Sequence, residues 1–188
     1  PTGCVRTATV IVSPLPSTIA GPSAVCYGAS VLLTDSSTGG SWSSSDPTVA
    51  TVGSSSGLVS GVSVGETVIT YTLPTGCLAY RSMTVNPLPA AITGTFSACA
   101  GGSTTLANAT TGGTWSSSNT NATIGSTTGV VTAVTAGTST ITYRLGTGCI
   151  ATAVYTVHPL PAAITGITNV CAGLSTTLSS ATTGGIWS

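Results

Sequence analysis

Charged side chains are almost missing from this chain of 188 residues. Three arginines and three acidic residues make up 3% of the sequence, whereas an average globular domain has about 25% charged residues. The formal net charge is zero, so we expect no nucleic-acid partner. Three carboxylates are too few for a series of calcium sites, each of which takes about six to eight oxygen ligands. We therefore expect no metal and no cofactor.

Long apolar runs and helical patterns are also missing. No run approaches the roughly 18 residues of a membrane-spanning helix, so no membrane insertion is expected within this sequence. The sequence does not begin with basic residues followed by an apolar stretch, so no signal peptide is predicted. Nothing has the 3.6-residue apolar rhythm of a helix.

Hydroxyl side chains supply the polarity that charge usually supplies. The chain has 27 serines and 38 threonines, and 41% of its residues are hydrophobic. A hydrophobic fraction of this size is enough for a folded core. The mean hydropathy is +0.51, and a net charge of zero favours association.

A repeat of about 72 residues organises the chain. Trp42, Trp115 and Trp187 are 73 and 72 residues apart, and a Pro-Leu-Pro motif recurs at the same interval. The recurrences predict four segments, which are the last strand of a preceding repeat (1–14), two full repeats (15–87 and 88–159) and the first strands of a following repeat (160–188). We expect a slice of a longer periodic chain, or a chain whose partial ends are completed by neighbours.

Within a repeat the pattern is all strand. Residues 138–145 alternate apolar and polar side chains, a glycine-containing turn follows, and residues 149–157 alternate again. Shorter candidate strands lie upstream, between turn signals. About seven short strands per repeat predict a β-sandwich. The short, stiff Pro-Leu-Pro linkers predict that adjacent sandwiches stand end to end.

The candidate catalytic residues differ between the copies of the repeat. Asp35 and Asp46 have no acidic counterparts in the second repeat, and Glu66 corresponds to Thr138. His158, the single histidine, takes a linker position that other residues hold in the other copies. A Ser-His-Asp triad needs a base that the chain cannot place in each repeat. We expect no catalytic residue and no enzyme activity.

The residues around the tryptophans carry a resemblance to a known family. Residues 112–119, Gly-Gly-Thr-Trp-Ser-Ser-Ser-Asn, resemble strand C of bacterial Ig-like repeats, and residues 57–71 resemble their next two strands. Val-Cys-x-Gly at 25–28 and the later Thr-Gly-Cys motifs are similar to cysteine-bearing Ig-like repeats of large secreted Bacteroidota-type surface proteins. The resemblance covers the whole sequence. It implies all-β tandem Ig-like sandwiches, with Trp42, Trp115 and Trp187 in the cores, and a role as stalk, adhesin rod or fibre unit.

Six cysteines occupy two kinds of position. The early kind comprises Cys26, Cys99 and Cys171. The late kind, in a Thr-Gly-Cys turn, comprises Cys4, Cys77 and Cys149. In an extracellular repeat chain they indicate disulfides and an oxidising compartment, and the absence of a Cys-x-x-Cys pair disfavours a metal site.

The pairing depends on the topology. In an ordinary Ig sandwich Cys26 and Cys77 lie roughly 20 Å or more apart, whereas a disulfide needs Cα atoms within about 7 Å. One arrangement therefore joins Cys26 to Cys149 across the junction and leaves the other cysteines for other repeats or another chain. In the second, the first strand departs from Ig topology and each repeat closes its own pair, Cys26–Cys77 and Cys99–Cys149. The first is favoured, and a Cys77–Cys99 pair between far ends of adjacent domains is excluded.

The function that we expect is structural. Edge strands are normally protected by lysine and other charges, which are missing here, so copies of the chain itself are the expected partners. Asn108 and Asn121 match the N-glycosylation sequon, although we interpret them as turn residues, and surface glycans are a further candidate partner. We predict a secreted, cell-surface repeat of a filament, sheath or adhesin stalk. The alternative is a glycan- or surface-binding module that uses its tip loops.

Overall fold

The described part of the chain forms β-strands joined by turns and loops. The computed structural model describes residues 3–188, which form seventeen strands and no helix. Within this range no helix is long and apolar enough to cross a membrane. The chain divides into two compact units. The first holds the described residues up to Leu88 together with Thr147–Cys149, and the second holds Pro89–Gly146 and Ile150–Ser188.

The first unit is a two-layer sandwich of seven strands. They are β1 (Ala24–Cys26), β2 (Ser30–Leu32), β3 (Ser41–Ser44), β4 (Ala50–Val52), β5 (Leu58–Gly61), β6 (Gly65–Thr72) and β7 (Leu78–Asn86). One sheet has the order β1-β7-β6-β3 and the other β2-β5-β4. Strand β1 pairs parallel with β7, and the other pairs are antiparallel.

The second unit repeats this arrangement. Its strands are β8 (Thr93–Gly94), β9 (Ser97–Cys99), β10 (Ser103–Ala107), β11 (Thr114–Ser117), β12 (Ala122–Ile124), β13 (Val130–Ala133), β14 (Gly137–Arg144) and β15 (Ile150–His158). The sheets are β11-β14-β15-β9 and β12-β13-β10-β8, with β9 parallel to β15. The all-β sandwich predicted from the alternating pattern is confirmed.

Alternation along the long strands builds the cores. In β6 the inward side chains of Ile69 and Tyr71 are buried, and β7 contributes Met83 and Val85. Successive side chains of a strand point to opposite faces, so the residues between them face solvent. The second unit buries equivalent residues from β14 and β15 in a core of its own. Each sequence repeat therefore carries its own hydrophobic core.

A tryptophan–tyrosine contact lies at the centre of each core. The ring centroids of Trp42 and Tyr71 are 4.7 Å apart, and those of Trp115 and Tyr143 are 4.6 Å apart. The tyrosine hydroxyl is also used, because Tyr71 Oη donates to Ser37 O (2.7 Å) and accepts from Gly40 N (2.9 Å). A Cβ at Gly40 would lie 2.5 Å from the Tyr71 ring, so only glycine permits this approach. Tyr143 makes the equivalent pair of bonds.

The terminal segments differ from the expectation. Residues 3–14, predicted as a strand, have no β-structure in the described chain, and Val10 and Val12 are exposed. Residues 160–188 form only the two-residue strands β16 (Thr165–Gly166) and β17 (Leu178–Ser179). The prediction of a core position was wrong for Trp187, which is 58% exposed. Strands β6 and β14, which pair with the tryptophan-bearing strands β3 and β11, have no counterpart among residues 160–188.

Replacement of Tyr71 by phenylalanine tests the bonds of the tyrosine hydroxyl. Tyr71→Phe keeps the ring but leaves Gly40 N and Ser37 O without this partner. We expect a loss of about 1–3 kcal/mol in the free energy of unfolding, measured by chemical denaturation, with faster amide exchange at Gly40. Tyr80→Phe is the matched control, because Tyr80 is 65% exposed. Equal stabilities of the two variants would contradict the assignment.

Candidate functional site: the cysteines and the sheet surfaces

One disulfide joins an early cysteine to a late one. Cys26, the last residue of β1, is bonded to Cys149, which directly precedes β15. The S–S distance is 2.01 Å and the Cα atoms are 5.7 Å apart. Cys149 is 1% exposed, and its three-residue segment belongs to the first unit. The bond spans 123 residues of sequence.

This bond decides between the two arrangements that the spacing left open for Cys26. The partner is Cys149 and not Cys77, so the first repeat does not close a pair of its own. The alternative required the first strand to depart from Ig topology. Instead, β1 pairs parallel with the last strand of the sandwich, β7, which places Cys26 at the Asn86 end of that strand, whereas Cys77 precedes its first residue.

The remaining four cysteines are free thiols in the described chain. They are Cys4, Cys77, Cys99 and Cys171. Cys77 is half-buried, and its Sγ lies 3.7 Å from Ser13 O, at the limit of a weak hydrogen bond. The other three are exposed. Within residues 3–188 no group of three or more potential metal ligands is present.

Hydroxyl groups line strand β14 on the outer face of the second unit, beside the exposed apolar side chains of Ile150 and Val154 on β15. Strand β14 presents Thr138 and Thr140 to solvent, and Thr142 is half-buried. Thr142 is in register with Ser116 on one side and Thr152 on the other. Arg144 is the only charged residue on these three strands.

The outer face of the first unit also mixes polar and apolar side chains. Strand β6 presents Glu66 and Val68, and β7 presents Leu78 and Tyr80. At the edge of this sheet, β3 exposes Ser41 and carries no charged residue. The edge strands β3 and β11 thus carry no charge, although natural proteins usually protect such edges with charges. The backbone amide of each tryptophan is bonded within its own unit, Trp42 N to Ser54 O and Trp115 N to Ser126 O.

Two buried hydroxyls organise the turn that follows the edge strand. Thr67 Oγ1 accepts from Asp46 N (3.0 Å) and bonds the hydroxyls of Ser44 and Ser45, both at 3.1 Å. In the second unit Ser139 Oγ donates to Asn119 Oδ1 at 2.5 Å. Neither Thr67 nor Ser139 was predicted from the sequence to have a buried hydrogen-bonding role. Both residues stand two positions before a buried isoleucine of β6 or β14, and this alternation is the sequence feature that indicates their burial.

Arg81 acts as a structural donor. Its guanidinium donates to the carbonyls of Ile19 (2.8 Å), Pro22 (3.3 Å) and Gly21. These carbonyls belong to the segment that leads into β1. The corresponding residue of the second repeat is Ala153, so this contact distinguishes the first unit.

The carboxylates are used within their own turns. Asp46 Oδ1 accepts from the hydroxyl (2.6 Å) and the amide (3.0 Å) of Thr48. The hydrogen bond from the Thr48 hydroxyl, followed by that from its amide, lowers the pKa of Asp46 below its ordinary value. Asp35 Oδ1 accepts from Ser37 N. The described residues thus give each aspartate a local role and do not combine them into an acid–base pair.

The two sequon asparagines also serve turns. Asn108 Nδ2 donates to Ala90 O at 2.6 Å, and Asn121 Nδ2 donates to Thr138 O at 3.3 Å. A glycan attached to either nitrogen would compete with these bonds. His158 is exposed at the end of β15, where its carbonyl accepts from Ala100 N.

One family model matches part of the chain. Residues 7–78 match the bacterial Ig-like domain (group 2). The match covers most of the first repeat and supports the Ig-like assignment. The second unit lies outside the matched range but has the same order of the seven equivalent strands, with β8 as an additional edge strand. No curated protein matches the chain significantly in sequence.

Several solved structures resemble the chain at low identity. A C-terminal 282-residue fragment of intimin, in complex with the intimin-binding domain of its translocated receptor, is 12% identical, with 81% of this chain and 67% of that chain covered (TM-score 0.46). Domains 4 and 5 of the S-layer protein SbsC are 18% identical over 77% and 99% of the two chains (TM-score 0.38). Mouse cadherin-23 EC22-24 is 13% identical over 78% and 65% (TM-score 0.31). These likenesses concern architecture and carry no information on partners.

Removal of the disulfide should destabilise the first unit. The bond closes a long loop, so the unfolded state of Cys26→Ser gains conformational freedom, and we expect a loss of about 2–5 kcal/mol in the free energy of unfolding. Denaturant unfolding without reductant measures it, and Cys171→Ser, which removes an exposed free thiol, is the control. Reductant should shift the wild-type midpoint towards that of Cys26→Ser, and an unchanged midpoint would contradict the assignment.

The hydrogen bonds of Asp46 predict a pH dependence. Because the pKa of the folded carboxyl is lowered, its contribution to stability is present above the unfolded pKa and is lost as the pH falls through the folded pKa. Thr48→Val removes the hydroxyl donor and should raise the pKa of Asp46, as followed by NMR titration of its side-chain carboxyl carbon. Thr51→Val, at an exposed position of β4, should leave that titration unchanged. Identical titrations in both variants would remove Thr48 as the cause.

Proposed function

We propose that this chain is a structural part of an extracellular protein, in which tandem Ig-like repeats form a filament, a sheath or an adhesin stalk. Its partners are other copies of the same repeat. The parent protein is a large secreted surface protein of the Bacteroidota type. The segments 1–14 and 160–188 belong, on this proposal, to a preceding and a following repeat.

The observation that carries the proposal is the equivalence of the two units. Both have the same order of seven equivalent strands, the same tryptophan–tyrosine contact and the same turn bonds at the tyrosine hydroxyl. A recognition module concentrates its variation in loops, whereas here the loops are as similar as the strands. A repeated core with unvaried loops is suited to a spacer or a polymer.

Self-association is supported by the edges of the sheets. The edge strands β3 and β11 expose Ser41, Ser43 and Ser116 and carry no charge. Trp42 N and Trp115 N already donate to Ser54 O and Ser126 O, so a strand of a second copy would add through backbone hydrogen bonds to the rest of such an edge. The disulfide is consistent with an oxidising, extracellular location.

A glycan- or surface-binding module is the second candidate. It is favoured by two cavities at equivalent places, of about 260 and 370 Å³. One is lined by Asp35, Trp42 and Tyr71, and the other by Asn108 and Trp115 among others. The tryptophans are only 8% exposed, so little ring surface is free for a sugar to stack on. A binding module is therefore less favoured than the structural function.

Charge placed on the edge strands tests self-association. We expect the wild-type protein to form oligomers at high concentration in analytical ultracentrifugation and regular filaments by electron microscopy. Ser43→Lys combined with Ser116→Lys should reduce both, because it puts a lysine on each edge. The control, Thr75→Lys with Thr120→Lys, adds the same charge to exposed turns and should assemble like the wild type.

A wild-type protein that remains monomeric at high concentration would overturn the self-associating role and favour the binding module. Equal loss of assembly in the edge and turn variants would show that net charge, and not the edge strands, controls the association.

A further inference from the structure

The cysteine that ends β9 has the same backbone setting as the bonded cysteine that ends β1. Cys26 is in register with Asn86, and Cys99 is in register with His158, both in parallel pairs. The residue after each donates its amide to the carbonyl of that partner at 2.9 Å. Two residues after each cysteine stands a glycine with positive φ, 75° at Gly28 and 86° at Gly101.

The two late cysteines also match. Cys149 directly precedes β15, and Cys77 directly precedes β7. Each follows a glycine in the left-handed region, with φ of 91° at Gly148 and 86° at Gly76. Cys99 thus repeats the setting of Cys26, and Cys77 repeats that of Cys149. In each of these two pairs one cysteine is bonded, Cys26 or Cys149, and the other is a free thiol.

The bonded pair gives a rule for partner choice. Cys26 bonds to the late cysteine of the repeat after its own, and not to the late cysteine of its own repeat, Cys77. Applied to the next repeat, the rule gives Cys99 the late cysteine of a further repeat as its partner. Applied in the other direction, it gives Cys77 the early cysteine of a preceding repeat.

We propose that Cys99 and Cys77 are linkage sites, which form disulfides of the Cys26–Cys149 kind with further repeats of the same type. The partner repeat comes either from a longer chain or from another copy. The proposal rests on the proposed structural function, because it names the covalent form that the association between repeats takes.

The chemistry is a two-electron oxidation of two thiols. The Cys99 thiolate attacks the disulfide of a thiol oxidoreductase and displaces one of its sulfurs as a thiolate, which leaves a mixed disulfide. The late cysteine of the partner repeat then attacks the Cys99 sulfur as a thiolate, which forms the new bond and releases the reduced oxidoreductase. Two protons are lost from the protein thiols, and the oxidoreductase disulfide accepts the two electrons.

The absence of lysine makes the linkage directly measurable. Trypsin cleaves after Arg6, Arg81 and Arg144 and gives the fragments 1–6, 7–81, 82–144 and 145–188. Cys99 is the only cysteine of fragment 82–144. Any disulfide of Cys99 therefore appears as a covalent addition to this fragment when the protein is digested without reductant and its mass is measured.

The first arm of the experiment uses the 188-residue chain with Cys4→Ser and Cys171→Ser, oxidised by a glutathione redox buffer with a thiol oxidoreductase. We expect oligomers that reductant dissolves, with fragment 82–144 attached to fragment 7–81 of another copy. Cys99→Ser or Cys77→Ser in the same background should abolish them and keep the Cys26–Cys149 bond.

The second arm inserts a second copy of residues 88–159 directly after residue 159, as a third full repeat. Here we expect an internal bond between Cys99 and the late cysteine of the added copy. Reduction of the intact protein should then change its mass only by the hydrogens that it gains. A bond in the first arm identifies another copy as the partner source, and a bond in the second identifies a longer chain.

Free, alkylatable Cys99 in both arms would overturn the proposal, as would a symmetric Cys99–Cys99 bond. Filaments that persist in reductant, with Cys99 free, would refute the linkage sites and leave the structural function intact. Disulfide-linked products without any regular filament would support the linkage sites and refute the filament-forming function.

Discussion

The contact between one tryptophan and one tyrosine on adjacent strands of the same sheet, at the inner face of each sandwich, is the interaction on which the rest depends. The tryptophan comes from the edge strand and the tyrosine from the adjacent long strand, so their contact fixes the register between those strands. The tyrosine hydroxyl then holds the glycine turn that begins the edge strand. Hydrophobic burial and turn geometry are therefore coupled at a single side chain in each unit.

Hydroxyl groups take over the roles that charges have in other sandwiches. Thr67 and Ser139 satisfy backbone amides inside the fold, at Asp46 and Ala122. A hydroxyl donates one hydrogen bond and accepts up to two, in directions that its rotation allows, without the desolvation cost of a buried charge. This explains how a chain with 3% charged residues satisfies its turns. It also leaves the outer surface with little electrostatic repulsion between copies.

The long strands were predictable because alternation is a local signal. Residues 138–145 and 149–157 were predicted as strands, and β14 and β15 occupy 137–144 and 150–158. The partner of Cys26 was not fixed by local patterns, because it depends on the parallel pairing of β1 with β7, a contact between residues about 60 positions apart. The buried role of Thr67 was missed for another reason. Threonine occurs on both faces of these strands, so its identity does not reveal which face is buried.

The disulfide has a mechanical consequence. Cys26 and Cys149 enclose nearly two thirds of the chain in a covalent loop, so tension applied to the segments outside it passes through the sulfur–sulfur bond. The enclosed 123-residue separation corresponds to about 400 Å of extended chain. That length cannot be drawn out by force while the bond is intact, even if the strands inside the loop come apart. Reduction would thus convert an almost inextensible segment into a long extensible one.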